Sequence, residues 1–293
     1  MVKRVVVATD LSPGSDEALR QAAARSRGTD AQLAVCHVFP SPTGLYPWFA
    51  PEQAVAVAEP SRLQGRALDL LAGRVSAALP DTKYELVTEQ GDAAAGLVRF
   101  AENWNADLLV VGACGTTALP RVQLGSVAER VVRHAHCSVL VARAVPASGV
   151  VLAATDLSDP SLHALTAASA EALRCNAKLV VTHAVDFASA RVSLEEMMIG
   201  VLEPSSHWNL DTEVREQVER ELDNALARCG AAGTSQVTSG PAAAAVVRHA
   251  EQLGADLLVI GARGRTGLLR LLLGSVAERI VRTARCSVLA VRP

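Results

Sequence analysis

The chain has 293 residues and a formal charge of −2, half of it is hydrophobic, and only 3% is aromatic. The near-neutral balance excludes the basic footprint of a nucleic-acid binder, and the apolar content excludes a disordered chain. No apolar run is long enough to span a bilayer, and with so few rings the core must be built of Val, Leu and Ala, which suits buried parallel strands.

Taken in chain order, Val5–Thr9 reads as a first strand. Ser12 can cap the helix that follows, with Pro13 at its first position and Ala18, Leu19 and Ala22 on its apolar face. Leu33–Val38 is a second strand, and after a long irregular segment a helix covers Leu63–Leu79. Tyr84–Thr88 is a third strand, Ala94–Trp104 a helix, Leu108–Val111 a fourth strand, Val127–His134 a helix and Val139–Ala142 a fifth strand.

The same order then recurs. Val5–Ser12 (VVVATDLS) returns as Val151–Ser158 (VLAATDLS), and Asn105–Gly115 (NADLLVVGACG) returns as Gly254–Gly264 (GADLLVIGARG). Gly125–Arg143 and Gly274–Arg292 agree at fourteen of nineteen positions. The offsets are 156 − 10 = 146 and 274 − 125 = 149 residues, so the boundary falls in the turn-forming stretch Pro146-Ala147-Ser148-Gly149. Domains are expected at 1–146 and 147–293. Each alternates β and α, which predicts an α/β fold with a five-stranded parallel sheet, of flavodoxin-like type or of Rossmann-like order 3-2-1-4-5.

In the latter order strands one and four adjoin where the winding reverses, and ligands bind beyond their carboxyl ends. Thr9-Asp10 and Gly112-Ala113-Cys114-Gly115 stand there in the first copy, Thr155-Asp156 and Gly261-Ala262-Arg263-Gly264 in the second. After nine further residues come Gly125-Ser126 and Gly274-Ser275, each opening a helix. Glycines allow close backbone approach, and a helix start attracts anions, so the two parts make a cradle for phosphate. A structural reading competes with this: Ser126 and Ser275 stand three residues before Glu129 and Glu278, the spacing of a capping box. Asp10 and Asp156 suit a ribose hydroxyl or a cation beside the phosphates, or else a turn. A dinucleotide Gly-x-Gly-x-x-Gly after strand one, a Gly-Lys-Ser/Thr loop and a Gly-x-Ser-x-Gly elbow are all missing.

These pieces, occurring twice, resemble a tandem-domain universal stress protein over nearly the whole chain. The resemblance carries the Thr-Asp after strand one, the His-Val or His-Ala ending strand two, and the Gly-x-x-Gly-nine-Gly-Ser run. It implies a sheet of order 3-2-1-4-5, with adenine nucleotide alpha hydrolase-like relatives, and a site for ATP or for ADP or AMP, often with Mg. By that resemblance Ala8, Thr9, Asp10 and Val38 surround adenine and ribose, Val111 and Gly112 lie along the sugar, and Gly115, Gly125, Ser126 and Val127 bind phosphates. The counterparts are Ala154, Thr155, Asp156, Ala184, Ile260, Gly261, Gly264, Gly274, Ser275 and Val276. Arg263, Arg265 and Arg270 of the second copy replace Cys114, Thr116 and Arg121 of the first, and added cations favour phosphate in the second site. Asp10 and Asp156 are the candidate Mg ligands.

Six cysteines without a CxxC pair, and a chain that opens directly on a strand-like run with no signal peptide ahead of it, lead to the expectation of a reducing cytoplasm. His37 and His183 read as satisfied core groups, and His134, His136 and Cys137 as a helix-to-strand turn rather than a metal set. The segments 40–61 (with Tyr46, Trp48 and Phe49) and 186–212 (with Met197, Met198 and Trp208) are either lids or local helices over an apolar edge. The fifth strand of each copy is an edge, so the two copies are expected to pair with one another as a pseudo-twofold monomer, and a homodimer would form through other surfaces. The expected function is a cytoplasmic ATP-binding stress-response regulator with one site per repeat, not a dedicated enzyme. The alternatives are a slow ATPase or autophosphorylating switch, at Ser126 or Ser275, and a nucleotide-free scaffold. No nucleic-acid or membrane partner is expected.

Overall fold

A computed structural model describes residues 2–40, 60–115, 124–187, 207–263 and 273–293. The chain divides into two compact units, Met1–Ala144 and Val145–Pro293. In the first, the elements are β1 (Arg4–Ala8), α1 (Pro13–Ser26), β2 (Gln32–Phe39), α2 (Pro60–Ala78), β3 (Glu85–Gln90), α3 (Ala93–Asn103), β4 (Leu108–Gly112), α4 (Ser126–His134) and β5 (Ser138–Ala142). The strands are parallel in the order β3-β2-β1-β4-β5. Val5 of β1 stands opposite Leu33 on one side and Leu108 on the other. Val5–Val7, Leu33–Cys36, Leu108–Val111 and Val139–Ala142 are buried, because helices cover both faces of the sheet. Helix α1 packs on β1 and β4, and α3 packs on β2, β3 and α4. The winding therefore reverses between β1 and β4, and a crevice opens beyond their carboxyl ends.

The second unit repeats the plan with β6 (Val150–Ala154), α5 (Leu162–Cys175), β7 (Lys178–Val185), α6 (His207–Arg228), β8 (Thr234–Ser239), α7 (Ala242–Leu253), β9 (Leu257–Gly261), α8 (Ser275–Thr283) and β10 (Ser287–Val291). Its strands are parallel in the order β8-β7-β6-β9-β10. A single 3₁₀ turn, Asp159–Ser161, precedes α5. Helices α5 and α7 end on residues in the left-handed conformation, Asn176 and Gly254, whose N–H groups return to the last carbonyls. At the end of each sheet remote from the crevice one aspartate anchors the first strand. Asp107 accepts the backbone N–H groups of Lys3 and Arg4, and Asp256 those of Ser148 and Gly149. Among the described residues no helix is long and apolar enough to cross a membrane.

One difference lies inside the units. His249 of α7 is buried, with Nε2 2.6 Å from Oε1 of Gln236 and Nδ1 3.3 Å from the hydroxyl of Thr182. That hydroxyl in turn donates to the Gln236 carbonyl. The first unit has Phe100, Val87 and Cys36 at the corresponding places, all compatible with an apolar core. Burial pushes the Cys36 thiol up to about 12, which leaves it inert. Burial also lowers the His249 pKa below its ordinary value of 6.5. The unfolded chain thus takes up a proton at 6.5 that the folded unit takes up only at lower pH, so stability falls as pH drops through that window. Urea unfolding of the wild type is expected to lose midpoint as pH is lowered below 6.5, and His249→Phe to lose less. Equal slopes in the two proteins would count against this assignment.

Candidate functional site

Beyond β1 the chain turns through Thr9-Asp10-Leu11-Ser12, and Leu11 takes a φ of +62°. Leu157 does the same in the second unit, at +61°. A left-handed leucine costs about 1–2 kcal/mol, so something must hold it. Thr9 Oγ1 accepts the Leu11 N–H (3.1 Å), and Asp10 Oδ1 accepts both the Ser12 N–H (3.1 Å) and the Ser12 hydroxyl. The Thr9 hydroxyl pairs with Ser15 Oγ at 2.8 Å, and Ser15 Oγ donates to the Ser12 carbonyl. Thr155, Asp156, Ser158 and Ser161 reproduce every one of these bonds. This corrects the expectation for Ser12. It does occupy the position before α1, but its hydroxyl is committed to Asp10 and does not cap the helix.

His37 and His183 close the turn from the neighbouring strand. Each sets its Nδ1 2.8 Å from the carbonyl of the strand-one threonine, Thr9 or Thr155. A carbonyl only accepts, so Nδ1 carries the proton. Both rings are half-buried at the sheet's rim, so they are satisfied groups of the crevice rather than of the core.

The glycine run supplies the other wall. Gly125 N–H donates to the Ala113 carbonyl (2.7 Å) and Gly274 N–H to the Ala262 carbonyl (2.9 Å), so the residues flanking each loop are tied together. Gly125 and Gly274 are the N-cap residues of α4 and α8, with extended backbone and no side-chain cap. Ser126 and Ser275 are therefore the first residues within the helices, and the capping-box reading is overturned. Glu129 and Glu278 fall one position too late to reach back, and they pair with Arg133 and Arg282 instead. The N–H groups of the first helical turn have no acceptor within the helix and carry the positive end of its dipole. Ser126 and Ser275 are exposed there, as are Val127 (37%) and Val276 (46%).

Close packing explains the glycines. A Cβ on Gly115 would stand 2.5 Å from Asp10 Oδ2. One on Gly14 would stand 2.6 Å from the Cys114 carbonyl oxygen, and one on Gly112 would stand 2.9 Å from that of Gly14.

The two walls enclose a cavity in each unit, of about 280 Å³ in the first and about 260 Å³ in the second. Both lie just below the range for small-molecule sites, about 300–1,000 Å³. Ala8, Thr9, Asp10, Val38, Val111 and Gly112 line the first, together with Gly115, Gly125, Ser126 and Val127. Ala154, Thr155, Asp156, Ala184, Ile260 and Gly261 line the second, together with Arg263, Gly274, Ser275 and Val276. Gly264, Arg265, Arg270, Thr116 and Arg121 lie outside the described residues, as do Tyr46, Trp48, Phe49, Met197 and Met198. A third wall was not anticipated. Ala93 and Leu97 of α3, and Ala242 and Val246 of α7, close one side with aliphatic surface. Asp92 fixes the start of α3 by accepting the Ala95 N–H, and Arg130 of α4 bonds to it, which together hold its carboxyl below the usual range. Cys114 borders the first cavity where Arg263 borders the second. Among the described residues no group of His, Cys, Asp or Glu could hold a metal ion by itself, so His134, His136 and Cys137 form no such set.

A glycine-cradled crevice at the switch point, built twice, matches a known family. The family model described as "Universal stress protein family" fits residues 1–143 and again 149–292. The chain belongs to the universal stress protein family. The universal stress protein Rv2623 of Mycobacterium tuberculosis is 29% identical over 98% of this chain and 96% of its own length. The universal stress protein YxiE of Bacillus subtilis is 33% identical over 48% of this chain and 97% of its own length, so it matches a span about one repeat long. The solved structure of a universal stress protein from Archaeoglobus fulgidus superposes with a TM-score of 0.68 at 20% identity, covering 99% of this chain and 98% of that one. That likeness shows the universal stress protein fold.

The glycine contacts separate two kinds of constraint. Gly14→Ala meets a backbone oxygen that cannot move aside and is expected to destabilise the protein by about 1–3 kcal/mol in chemical denaturation, as overpacking does. Gly115→Ala meets a side-chain carboxylate that can swing away, so it is expected to cost less stability while displacing Asp10. Equal losses for the two variants would contradict this packing.

Proposed function

We propose that each repeat binds one adenine nucleotide, with the base and ribose between the tips of the first, second and fourth strands and the phosphates on the N-terminus of the following helix, and that the protein acts as a stress-response regulator through this binding. The observation that carries the reading is the cradle. In the first repeat Gly115 brings backbone close to Asp10, and in both repeats the helix start offers N–H groups that no side chain caps. The aliphatic wall of Leu97 and Val111, or of Val246 and Ile260, suits the faces of a flat base. ATP fits this donor set, and so do ADP and AMP. One oxygen of Asp10 or Asp156 organises the turn, and with the phosphates of a bound nucleotide this carboxylate would hold Mg; the cation would supply charge neutralisation.

Binding rather than turnover is the favoured reading. The described carboxylate lining each cavity, Asp10 or Asp156, is engaged with its own turn through Ser12 or Ser158. The slow ATPase and the empty scaffold remain as the alternatives that measurement separates. Denaturing freshly purified protein and chromatographing what is released is expected to yield about two adenine nucleotides per chain, one from each duplicated cradle. No nucleotide released, and no calorimetric binding of added ATP with Mg, would move the function to scaffolding. Arg263→Ala is expected to weaken the tighter of the two sites about tenfold, the effect of losing one charge-assisted contact. Weakening of the looser site instead would overturn the assignment of the stronger site to the second repeat.

A further inference from the structure

The two repeats differ at the start of the helix that forms the aliphatic wall of the cavity. In the first unit Asp92 is the N-cap of α3. One of its oxygens accepts the Ala95 N–H at 2.9 Å, and the other lies 2.7 Å from the guanidinium of Arg130 on α4. The next residue, Ala93, lines the cavity, so this ion pair stands at the cavity's edge and its two charges oppose one another there. Pro241 and Arg279 hold the same two places in the second unit. Pro241 is the N-cap of α7 and offers no side-chain acceptor. The acids of α7 and α8, Glu251 and Glu278, pair with Arg285 and Arg282. Arg279 is exposed, and among the described residues its side chain has no hydrogen bond or ion pair.

Arg279 is placed to use that freedom. It follows Ser275 by four residues, so the two share one side of α8 a single turn, about 5.4 Å, apart. Helical side chains lean toward the N-terminus, so an arginine stem covers that distance and carries its guanidinium toward the helix start. Ser275 lines the second cavity, as does Ala242, the neighbour of Pro241. We infer that Arg279 is a phosphate-recognising residue of the second repeat, withheld in the first by Asp92, and that the second repeat therefore selects nucleotides by the number of their phosphates. The inference rests on the nucleotide reading of the same cavity. The arginine is common to both repeats, and only its partner differs. A guanidinium gains most from the most highly charged ligand, so its share of the binding grows from AMP to ATP.

Calorimetric titration of the full chain with ATP and with AMP tests this. Arg279→Ala is expected to weaken ATP at the tighter site about tenfold, the loss of one charge-assisted contact, and to weaken AMP by much less. Arg279→Lys keeps the charge and is expected to retain part of the preference for ATP. Asp92→Ser keeps a capping residue on α3 while releasing Arg130, and is expected to tighten ATP at the looser site about threefold. Equal losses of ATP and AMP in Arg279→Ala, or no loss of either, would overturn the inference and leave the nucleotide sites standing. A looser site unchanged by Asp92→Ser would overturn the role given to Asp92. Wild-type protein that binds neither nucleotide would remove the nucleotide reading, and the inference with it.

Discussion

The crevice depends on a leucine held where leucine does not go by itself. Leu11 and Leu157 sit in the left-handed region because the flanking threonine and aspartate accept the N–H groups that this turn exposes. The turn reverses the chain within four residues of the end of β1, starting the first helix on one face of the sheet and leaving the aspartate on the other side of the strand tips. Such strain persists only where the surroundings over-determine it, and it marks sites more often than scaffolds. Here the surroundings include a histidine from the adjacent strand and a glycine that must lack a Cβ for the aspartate to stay where it is. Thr9 and Asp10 follow the first strand, His37 lies in the second and Gly115 in the loop after the fourth, yet each limits where the others can be.

On this shared frame the repeats have diverged in chemistry more than in backbone, which differs at the start of the first helix. Phe100 packs as an apolar side chain where His249 joins a closed polar network, and both suit a helix lying on the second and third strands of its unit. Cys114 and Arg263 occupy the same place in the loop after the fourth strand and change the charge at the cavity mouth. Gly14 and Pro160 change how the first helix begins, and with it whether the loop has a neighbour. None of these exchanges touches the hydrogen bonds of the strand-one turn, which are the same in the two units.

Most of the fold was legible because its signals are periodic or repeated. Strand-forming runs locate the strands of the first unit to within a residue or two, and the winding reversal between strands one and four ties Thr9-Asp10 and the glycine run to one site. The capping box shows where such reading fails. Ser126-x-x-Glu129 has the right spacing, but the backbone bond from Gly125 to Ala113, between residues twelve apart, starts the helix one position earlier than the motif requires. Ser12 fails for a related reason, since Asp10 competes for its hydroxyl. Ala93 and Leu97 were not recognisable as cavity wall, because a helix that faces a ligand and a helix that faces a core show the same apolar spacing. The half-exposed positions of His37 and His183 were equally hidden, as an apolar strand reads the same whether it ends inside the sheet or at its rim.

The divergence of the repeats follows from where the cradle keeps its binding groups. Its donors are backbone N–H groups at the start of α4 and α8, and its shape is set by glycines and by one backbone bond across the loop, so the side chains around it contribute little to holding it together. Ser126, Val127, Ser275 and Val276 stay exposed rather than packed. A site made of main chain survives exchange of its border residues, whereas a site made of side chains would lose its geometry with the first of them. Duplication could therefore hold the backbone geometry of the cradle constant while Cys114 and Arg263, and the helix starts at Gly14 and Pro160, became free to vary. The strained turn and the backbone bond across the glycine loop are the features both repeats retain.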